Sequence, residues 1–236
     1  MVESLVPDLE RAFSRERLEG YRRPLTIDDL AMLTNYFWNM RLCESLMPTF
    51  HAVEVSLRNA IHDALTARFG SPMWFDEPGL LLSAERDQLA NARRRGTHDI
   101  ESKGHSASRL PGKIVAELSF GFWVALLGDR YQQPLWQPDG YALFRTVFPS
   151  GQGPRFQRHL VHDRLNRLRR LRNRVSHHEP IWHRGDLGDL HADAHEIIGW
   201  INPALYRAIR AVDDFAEVRR GKDRVTARLL DSLADS

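Results

Sequence analysis

Residues 171–182 read Leu-Arg-Asn-Arg-Val-Ser-His-His-Glu-Pro-Ile-Trp, which brings guanidinium, amide, hydroxyl and imidazole groups into one short stretch. An imidazole titrates near neutral pH, so His177 is suited to acid–base chemistry. The fixed charge and forked donors of Arg172 suit a phosphoryl group, and Asn173 can orient either the imidazole or the phosphate. These three residues form the candidate catalytic set.

The segment before this stretch predicts the helix that must carry it. Pro180 disfavours helical geometry at Glu179, so we expect the helix to end near His178. Its apolar residues recur at three- to five-residue steps, close to the helical period. They are Phe156, Leu160, Leu165, Leu168, Leu171 and Val175.

Helical geometry determines which candidate residues lie together. Asn173 and His177 are one turn apart and share a face. Arg172 and His177 are about 140° apart around the helix axis. Those two side chains converge only if the helix distorts at its end or if a second copy of the motif faces the first. This geometry indicates a symmetric dimer.

The three candidate residues match the R-N-x-x-x-H signature of the HEPN ribonucleases, and the longer stretch RNRVSHHEPIW resembles the Abi-like, abortive-infection branch of that superfamily. Residues 54–62, with the sequence EVSLRNAIH, resemble the early helix of the same branch. Residues 110–123 resemble its middle segment. The resemblance covers about residues 36–200.

This resemblance implies an all-α, HEPN-type helical bundle with additional N-terminal and inserted helices. It implies a single domain over residues 1–236, with an N-terminal helical extension over about 1–25. The implied activity is metal-independent endoribonucleolytic cleavage that leaves a 2′,3′-cyclic phosphate and a 5′-hydroxyl. The implied role is bacterial abortive infection, antiphage defence or toxin-like growth arrest.

The resemblance also implies the partners. Two chains form a homodimer in which Arg172, Asn173 and His177 of both copies meet at the active site. RNA is the expected substrate. An antitoxin or a phage-derived trigger is the expected controlling partner.

Four further residues are candidates for supporting roles. Arg174 and His178 are candidates for phosphate binding beside the catalytic set. Glu54 and Arg58 are four residues apart, in the favourable order for an ion pair on a helix. These two either form a polar stripe that ties their helix to the motif helix, or reach into the active site.

Two other interpretations of the motif compete with catalysis. An Arg–Asn–His cluster at a helix end can cap the helix, with its imidazoles bonded to the terminal carbonyls. The chain can also be a non-catalytic α-helical module that binds RNA or a protein partner in the phage response. Substitution of His177 separates this module from the nuclease, because binding should largely survive the substitution and cleavage should not.

A metal site is a further hypothesis. His191 and His195 are four residues apart on a predicted helix. Zinc requires more ligands, however, and the sequence has no HExxH pattern and a single, distant cysteine, Cys43. We therefore expect a polar pair on the surface, no metal ligand and no cofactor.

Composition is typical of an intracellular globular protein. The 236 residues are 42% hydrophobic and 27% charged, with one cysteine and a net charge of +2. The sequence contains no apolar run as long as a membrane span, and its first residues do not begin a secretory signal. We expect a cytoplasmic protein that does not contact a membrane.

Positive charge is concentrated on the motif helix, where Asp163 is the only acid nearby in sequence. Such clustering beside a candidate site is typical of a surface that binds a polyanion. The arginines concerned are Arg155, Arg158, Arg164, Arg167, Arg169, Arg170, Arg172 and Arg174.

Helical periodicity without period-two alternation predicts an all-α chain. Gly121 predicts the close approach of another helix, and the polar residues 97–109 predict a disordered or RNA-responsive loop. The first half should hold a helix within 1–23 and a second helix from Thr26 into the forties. Pro48 either opens a new helix or kinks this one, and the helical pattern continues from Phe50 to Phe69, before Gly70. A further helix should run from Ser83 to Arg95, before Gly96.

The second half should hold a helix from Pro111 to Leu127 and a short helix at 141–147 within an irregular segment, 131–149. The motif helix follows, and further helices should run from Leu187 to Ile201 and over 205–233.

Overall fold

The computed structural model describes residues 2–23, 27–137 and 140–234. Within those ranges the chain is 78% helical and has no strand, which confirms the all-α prediction. In the same ranges, no helix is both long enough and apolar enough to cross a membrane.

The α-helices follow one another closely along the chain. They are Val2–Phe13 (α1), Arg15–Glu19 (α2), Asp29–Phe69 (α3), Ser83–Ser102 (α4), Leu110–Glu117 (α5), Phe120–Leu126 (α6), Gln132–Trp136 (α7), Gly140–Val147 (α8), Arg158–Ser176 (α9), Leu187–Ile201 (α10), Pro203–Val212 (α11), Phe215–Arg220 (α12) and Lys222–Ala234 (α13). Short 3-10 helices lie at Trp74–Asp76, Ala107–Arg109 and Asp129–Tyr131.

Helix α3 is the axis of the bundle, and at 41 residues it extends over roughly 60 Å. Asp28 caps its start, because the Asp28 carboxylate accepts a hydrogen bond from the Ala31 N–H at 2.8 Å. Gly70 ends it in the left-handed conformation (φ 67°). Thr26, the predicted start, lies outside the described residues.

Apolar residues at three- and four-residue steps give α3 a continuous buried face. The helix as a whole packs against α6, α8, α10, α11, α12 and α13. The residues of this face are Leu42, Leu46, Phe50, Val53, Leu57, Ile61 and Leu65. Pro48 lies within the helix, so the segments predicted on either side of it form one element. Packing on several sides holds the helix together where the proline removes a hydrogen bond.

The prediction that Gly96 ends a helix is wrong, because α4 continues to Ser102. Gly96 instead allows α5 to approach. A Cβ added to it would lie 3.3 Å from the Ile114 backbone nitrogen. The loop predicted over 97–109 is shorter than expected, because residues 97–102 belong to α4 and Ala107–Arg109 form a 3-10 helix. Asp99, in the last turn of α4, forms ion pairs with Lys103 and Lys113.

The single helix predicted from Pro111 to Leu127 is two helices, α5 and α6. The chain becomes extended at Leu118 (ψ 133°), and the Ser119 hydroxyl accepts a hydrogen bond from the Phe122 N–H at 3.3 Å to begin α6. Gly121 faces α9, but the approach is not close enough to require a glycine, because an added Cβ would make only an ordinary van der Waals contact. A Cβ at this position would lie 3.5 Å from the Arg169 side chain on α9.

Helix α8 and the helical C-terminal region follow the prediction, and α7 is an additional short helix. Helices α1 and α2 pack on the first turns of α3 around a small buried cluster that includes Leu18 and Tyr21. Trp182 packs against both this cluster and the main core. The single-domain organisation with an N-terminal extension stays a prediction.

His62 on α3 holds the 3-10 helix at Trp74–Asp76. Its Nδ1 accepts a hydrogen bond from the Trp74 indole N–H at 3.1 Å, so this nitrogen must be unprotonated. Burial lowers the pKa of His62 below its ordinary value of 6.5. The unfolded chain therefore takes up this proton at a higher pH than the native protein does, and native stability declines as the pH falls below about 6.5.

We expect His62→Gln to reduce the loss of unfolding free energy between pH 7.5 and pH 5. Glutamine can accept the indole hydrogen bond and does not titrate in this range. Urea denaturation at each pH measures the effect, with His51→Gln as the control because His51 is exposed on the same helix. Equal slopes for wild type and His62→Gln would show that the contact does not depend on the protonation of His62.

Candidate active site

Helix α9 carries the motif and ends where the sequence predicts. Ser176 is its last residue, and His178 follows in the left-handed conformation (φ 57°). The His178 N–H donates to the Val175 carbonyl at 3.1 Å and the Glu179 N–H to the Arg174 carbonyl at 2.8 Å. This pair of bonds is a Schellman motif, with histidine in the place that glycine usually takes.

Arginines fix the turn that follows. The Arg17 guanidinium donates to the His178 carbonyl at 2.7 Å and thereby ties α2 to the helix end. The Arg174 guanidinium donates to the Pro180 carbonyl at 3.0 Å and forms an ion pair with Glu179 at 3.2 Å. Arg174, a candidate for phosphate binding, therefore has a structural role.

A buried amide holds the next two residues. Asn39 on α3 is only 3% exposed, and its Oδ1 accepts hydrogen bonds from the N–H groups of Ile181 at 2.7 Å and Trp182 at 3.1 Å. Its Nδ2 donates to the Tyr21 hydroxyl at 3.1 Å. The sequence gives no signal for this role, because a single asparagine inside a long helix is not a recognisable motif.

Asn173 and His177 take no part in this network. Asn173 is half-buried and His177 is exposed, and neither side chain makes a hydrogen bond with any residue that the structure describes. The capping interpretation required imidazoles bonded to terminal carbonyls. Arg17, Arg174 and Asn39 satisfy the helix end and the following turn instead, so Asn173 and His177 remain available to a ligand.

Arg172 and Glu54 are brought together although they are distant in sequence. The Arg172 guanidinium lies 3.2 Å from the Glu54 carboxylate, and both side chains are partly exposed. The expected Glu54–Arg58 ion pair does not form, because Glu54 faces α9. Arg58 instead donates to the Asn59 side chain at 3.4 Å. Glu54 is therefore the residue of this pair that contacts the motif.

The exposed His178 side chain lines a cleft of about 470 Å³ at the helix end. Arg17, Tyr36 and Cys43 line the same cleft. Burial raises the pKa of the Cys43 thiol to about 11, which disfavours the nucleophilic thiolate. This cleft places an imidazole and a guanidinium beside aromatic rings, next to the motif but on the side of α2.

A row of polar side chains follows α9 towards His177. At 100° per residue its members lie within about 80° of one another on the helix. The row consists of His162, Asn166, Arg169, Asn173 and His177. Asn166 is 2.9 Å from the His162 ring and accepts a hydrogen bond from Arg169 at 3.3 Å. Sequence reasoning missed this row, although its spacing of three and four residues was readable.

The first three residues of the row line a second cleft, of about 590 Å³. Gln88 and Ser119 line the opposite side, so amide, hydroxyl, imidazole and guanidinium groups face one space. Burial lowers the pKa of His162, which favours its neutral form. The cleft and the motif therefore share one face of α9.

The expectation that only Asp163 opposes the arginine cluster is wrong. Carboxylates pair with six of the eight side chains, and five of these pairs join residues that are distant in sequence, so the local sequence exaggerates the positive charge of α9. These pairs are Arg155–Glu196, Arg158–Asp129, Arg164–Asp193, Arg167–Asp193, Arg172–Glu54 and Arg174–Glu179. Within the described part of the chain, Arg169 and Arg170 have no acidic partner.

His191 and His195 are not a surface pair as expected. His195 is 8% exposed, and both rings lie beside Asp213, which sequence reasoning missed. The two histidines share a helix face at four-residue spacing, but the loop that brings Asp213 to them is a tertiary feature.

A scan against protein-family models, a search of curated proteins and a search of solved structures found no match to this chain. The HEPN and Abi-like assignment therefore rests on the resemblance of residues 171–182 and of the two supporting segments.

We expect Asn39→Ala to lower the free energy of unfolding by about 2–4 kcal/mol, because it leaves two N–H groups of residues 181 and 182 unpaired. Chemical denaturation measures the loss. Asn59→Ala is the matched control, since Asn59 is exposed on the same helix, and should change stability by less than about 0.5 kcal/mol. Similar losses for the two variants would contradict the role of Asn39.

Proposed function

We propose that this chain is a metal-independent endoribonuclease of the HEPN type, which acts as a homodimer in the cytoplasm. Its role is abortive infection, antiphage defence or toxin-like growth arrest. One observation carries the proposal. The side chains of Asn173 and His177 make no hydrogen bond with the described residues, at a helix end that other residues hold in place. Side chains with structural roles would be engaged there, as Arg174 is.

The chemistry follows from the three side chains. His177 takes the proton from an RNA 2′-hydroxyl, and the 2′-oxygen attacks the adjacent phosphorus. The bond from phosphorus to the 5′-oxygen breaks, and the 5′-oxygen receives a proton from the second copy of His177 in the dimer. Arg172 stabilises the charge on the five-coordinate phosphorus. The products are a 2′,3′-cyclic phosphate and a 5′-hydroxyl, so no cofactor is required.

Glu54 has a positioning role in this mechanism. Its carboxylate holds the Arg172 guanidinium at 3.2 Å and limits the positions that this flexible side chain can adopt. Because the pair is partly exposed, a phosphate can compete for the free N–H groups of Arg172. Arg58, one helical turn further along α3, has no comparable contact with the motif.

The polar row on α9 supports an RNA path that leads to His177. Arg169 lines the cleft of about 590 Å³ and has no acidic partner among the described residues, so it can bind a phosphate of a flanking nucleotide. Asn166 and Gln88 line the same cleft and offer donors and acceptors to a base edge.

Two exposed methionines support a dimer contact beside the motif. Met40 and Met47 are each 50% exposed and recur at seven-residue spacing, which is continued by Glu54. The three residues lie within about 40° of one another on α3. A second copy that covers this face would therefore lie beside the Arg172–Glu54 pair.

The alternative is a non-catalytic α-helical module that binds RNA or a protein partner in the phage response. The Arg172–Glu54 ion pair favours it, because a carboxylate beside the catalytic arginine weakens the positive charge available to a transition state. Binding without cleavage is the outcome that separates this module from the enzyme.

We expect the purified protein to cleave total RNA in excess chelator, and His177→Ala to slow cleavage by roughly 100- to 10,000-fold. Arg172→Ala should slow cleavage as well, because it removes the stabilising charge. His98→Ala is the matched control, since His98 is exposed on α4, and should cleave at the wild-type rate. End-group analysis should find 2′,3′-cyclic phosphates.

Three results would contradict this proposal. RNA that the wild type binds but leaves intact would favour the non-catalytic module. Cleavage that appears only after a divalent metal is added would exclude the metal-independent mechanism. Equal rates for wild type and His177→Ala would place the chemistry elsewhere.

A further inference from the structure

His191 and His195 on α10 converge on Asp213 in the segment between α11 and α12. The two Nε2 atoms are 3.1 Å apart, and each lies 3.1 Å from Asp213 Oδ2. The three side chains are only 10–15% exposed. Three donor atoms therefore form a nearly equilateral triangle that is mostly shielded from solvent.

Protons alone cannot satisfy this triangle. A carboxylate oxygen only accepts, and each Nε2 carries either one proton or one lone pair. If both nitrogens carry protons, two N–H groups face each other at 3.1 Å. If either nitrogen lacks its proton, its lone pair faces the Asp213 oxygen at 3.1 Å. Every arrangement leaves at least one repulsive contact, whereas a cation at the centre makes all three contacts attractive.

The surrounding residues hold the three side chains in place. The Phe215 ring stacks on His191 at 4.4 Å, and the Tyr206 ring packs edge-on against His195 at 5.9 Å. The Phe215 backbone N–H donates to Asp213 Oδ1 at 3.0 Å and orients the carboxylate. Hydrogen bonds and packing of this kind orient the ligands of metal sites.

We propose that His191, His195 and Asp213 bind a divalent transition-metal ion, and that the donor set suits zinc. Zinc takes imidazole nitrogen and carboxylate oxygen at 2.0–2.2 Å, so a tetrahedral site has ligand–ligand edges of roughly 3.3 Å. The observed edges of 3.1 Å are within a few tenths of an ångström of that value. The fourth position is left for water, and the Thr49 hydroxyl, 3.4 Å from His195 Nε2, can hydrogen-bond to such a water.

The bound ion ties two separate parts of the bundle together. It links α10 to the segment between α11 and α12, and both α10 and α12 pack on α3. Burial lowers the pKa of both histidines, which favours the neutral form that coordinates a metal. Zinc therefore binds the native state and stabilises it. The site does not use Arg172, Asn173 or His177, so zinc binding does not depend on the proposed RNA cleavage.

The test uses full-length, untagged protein stripped with chelator and titrated with zinc against a chromophoric competitor. We expect one zinc per chain and a thermal midpoint that rises with zinc concentration. Asp213→Asn preserves the shape of the side chain, and should weaken zinc binding by more than about 100-fold. Asp214→Asn makes the same chemical change at the exposed neighbouring position and should bind zinc as wild type does.

A measurement on the unsubstituted chain keeps the test decisive if Asp213→Asn folds poorly. In a nitrogen-15 spectrum of the side chains, zinc should shift the Nε2 resonances of two of the eleven histidines. A wild-type chain that binds no zinc, zinc bound equally by Asp213→Asn, or unchanged histidine resonances would each overturn the proposal.

Discussion

The hydrogen bonds between the Asn39 amide and the backbone of residues 181 and 182 are the contacts on which the rest of the site depends. A chain that leaves a helix and turns into the core exposes N–H groups that must be paired. One buried oxygen pairs two of them, and the same amide reaches Tyr21 beside α2. Because α3 supplies this amide, the long axis of the bundle fixes the position of the motif.

In this arrangement, the residues that hold the helix end are different from Asn173 and His177, the candidate catalytic residues. Arg17 and Arg174 hold the carbonyls of residues 178 and 180, and a left-handed histidine completes the helix end. The side chains of Asn173 and His177 lie on the same short stretch and take part in none of these contacts. Charge is divided in the same way, because carboxylates pair with most arginines of α9, whereas Arg169 and Arg170 have no acidic partner among the described residues. Charge at the site is therefore local, in keeping with a net charge of only +2.

Features encoded by local sequence were predictable. Hydrophobic periodicity identified most of the helices, and Pro180 determined the end of α9. Features that depend on distant partners were not predictable. Gly96 has the sequence signature of a helix stop, but its lack of a side chain serves the contact with α5 inside a continuing helix.

The same reason explains the errors at the site. The partner of Glu54 is Arg172 on another helix rather than Arg58 on its own, because tertiary contact outweighs a weak pair on a helix surface. Asp213 and Asn39 escaped notice because an isolated carboxylate or amide has no recognisable spacing. Short-range patterns therefore located the motif, and long-range packing determined which of its side chains are free.

The free energy of unfolding of His177→Ala tests most directly whether the His177 side chain is free of a structural role. The side chain is exposed and makes no hydrogen bond to the described residues, so we predict a change of less than about 0.5 kcal/mol. A loss of about 1 kcal/mol or more, the size expected for a lost helix cap, would mean that the imidazole stabilises the helix end, and would contradict the account.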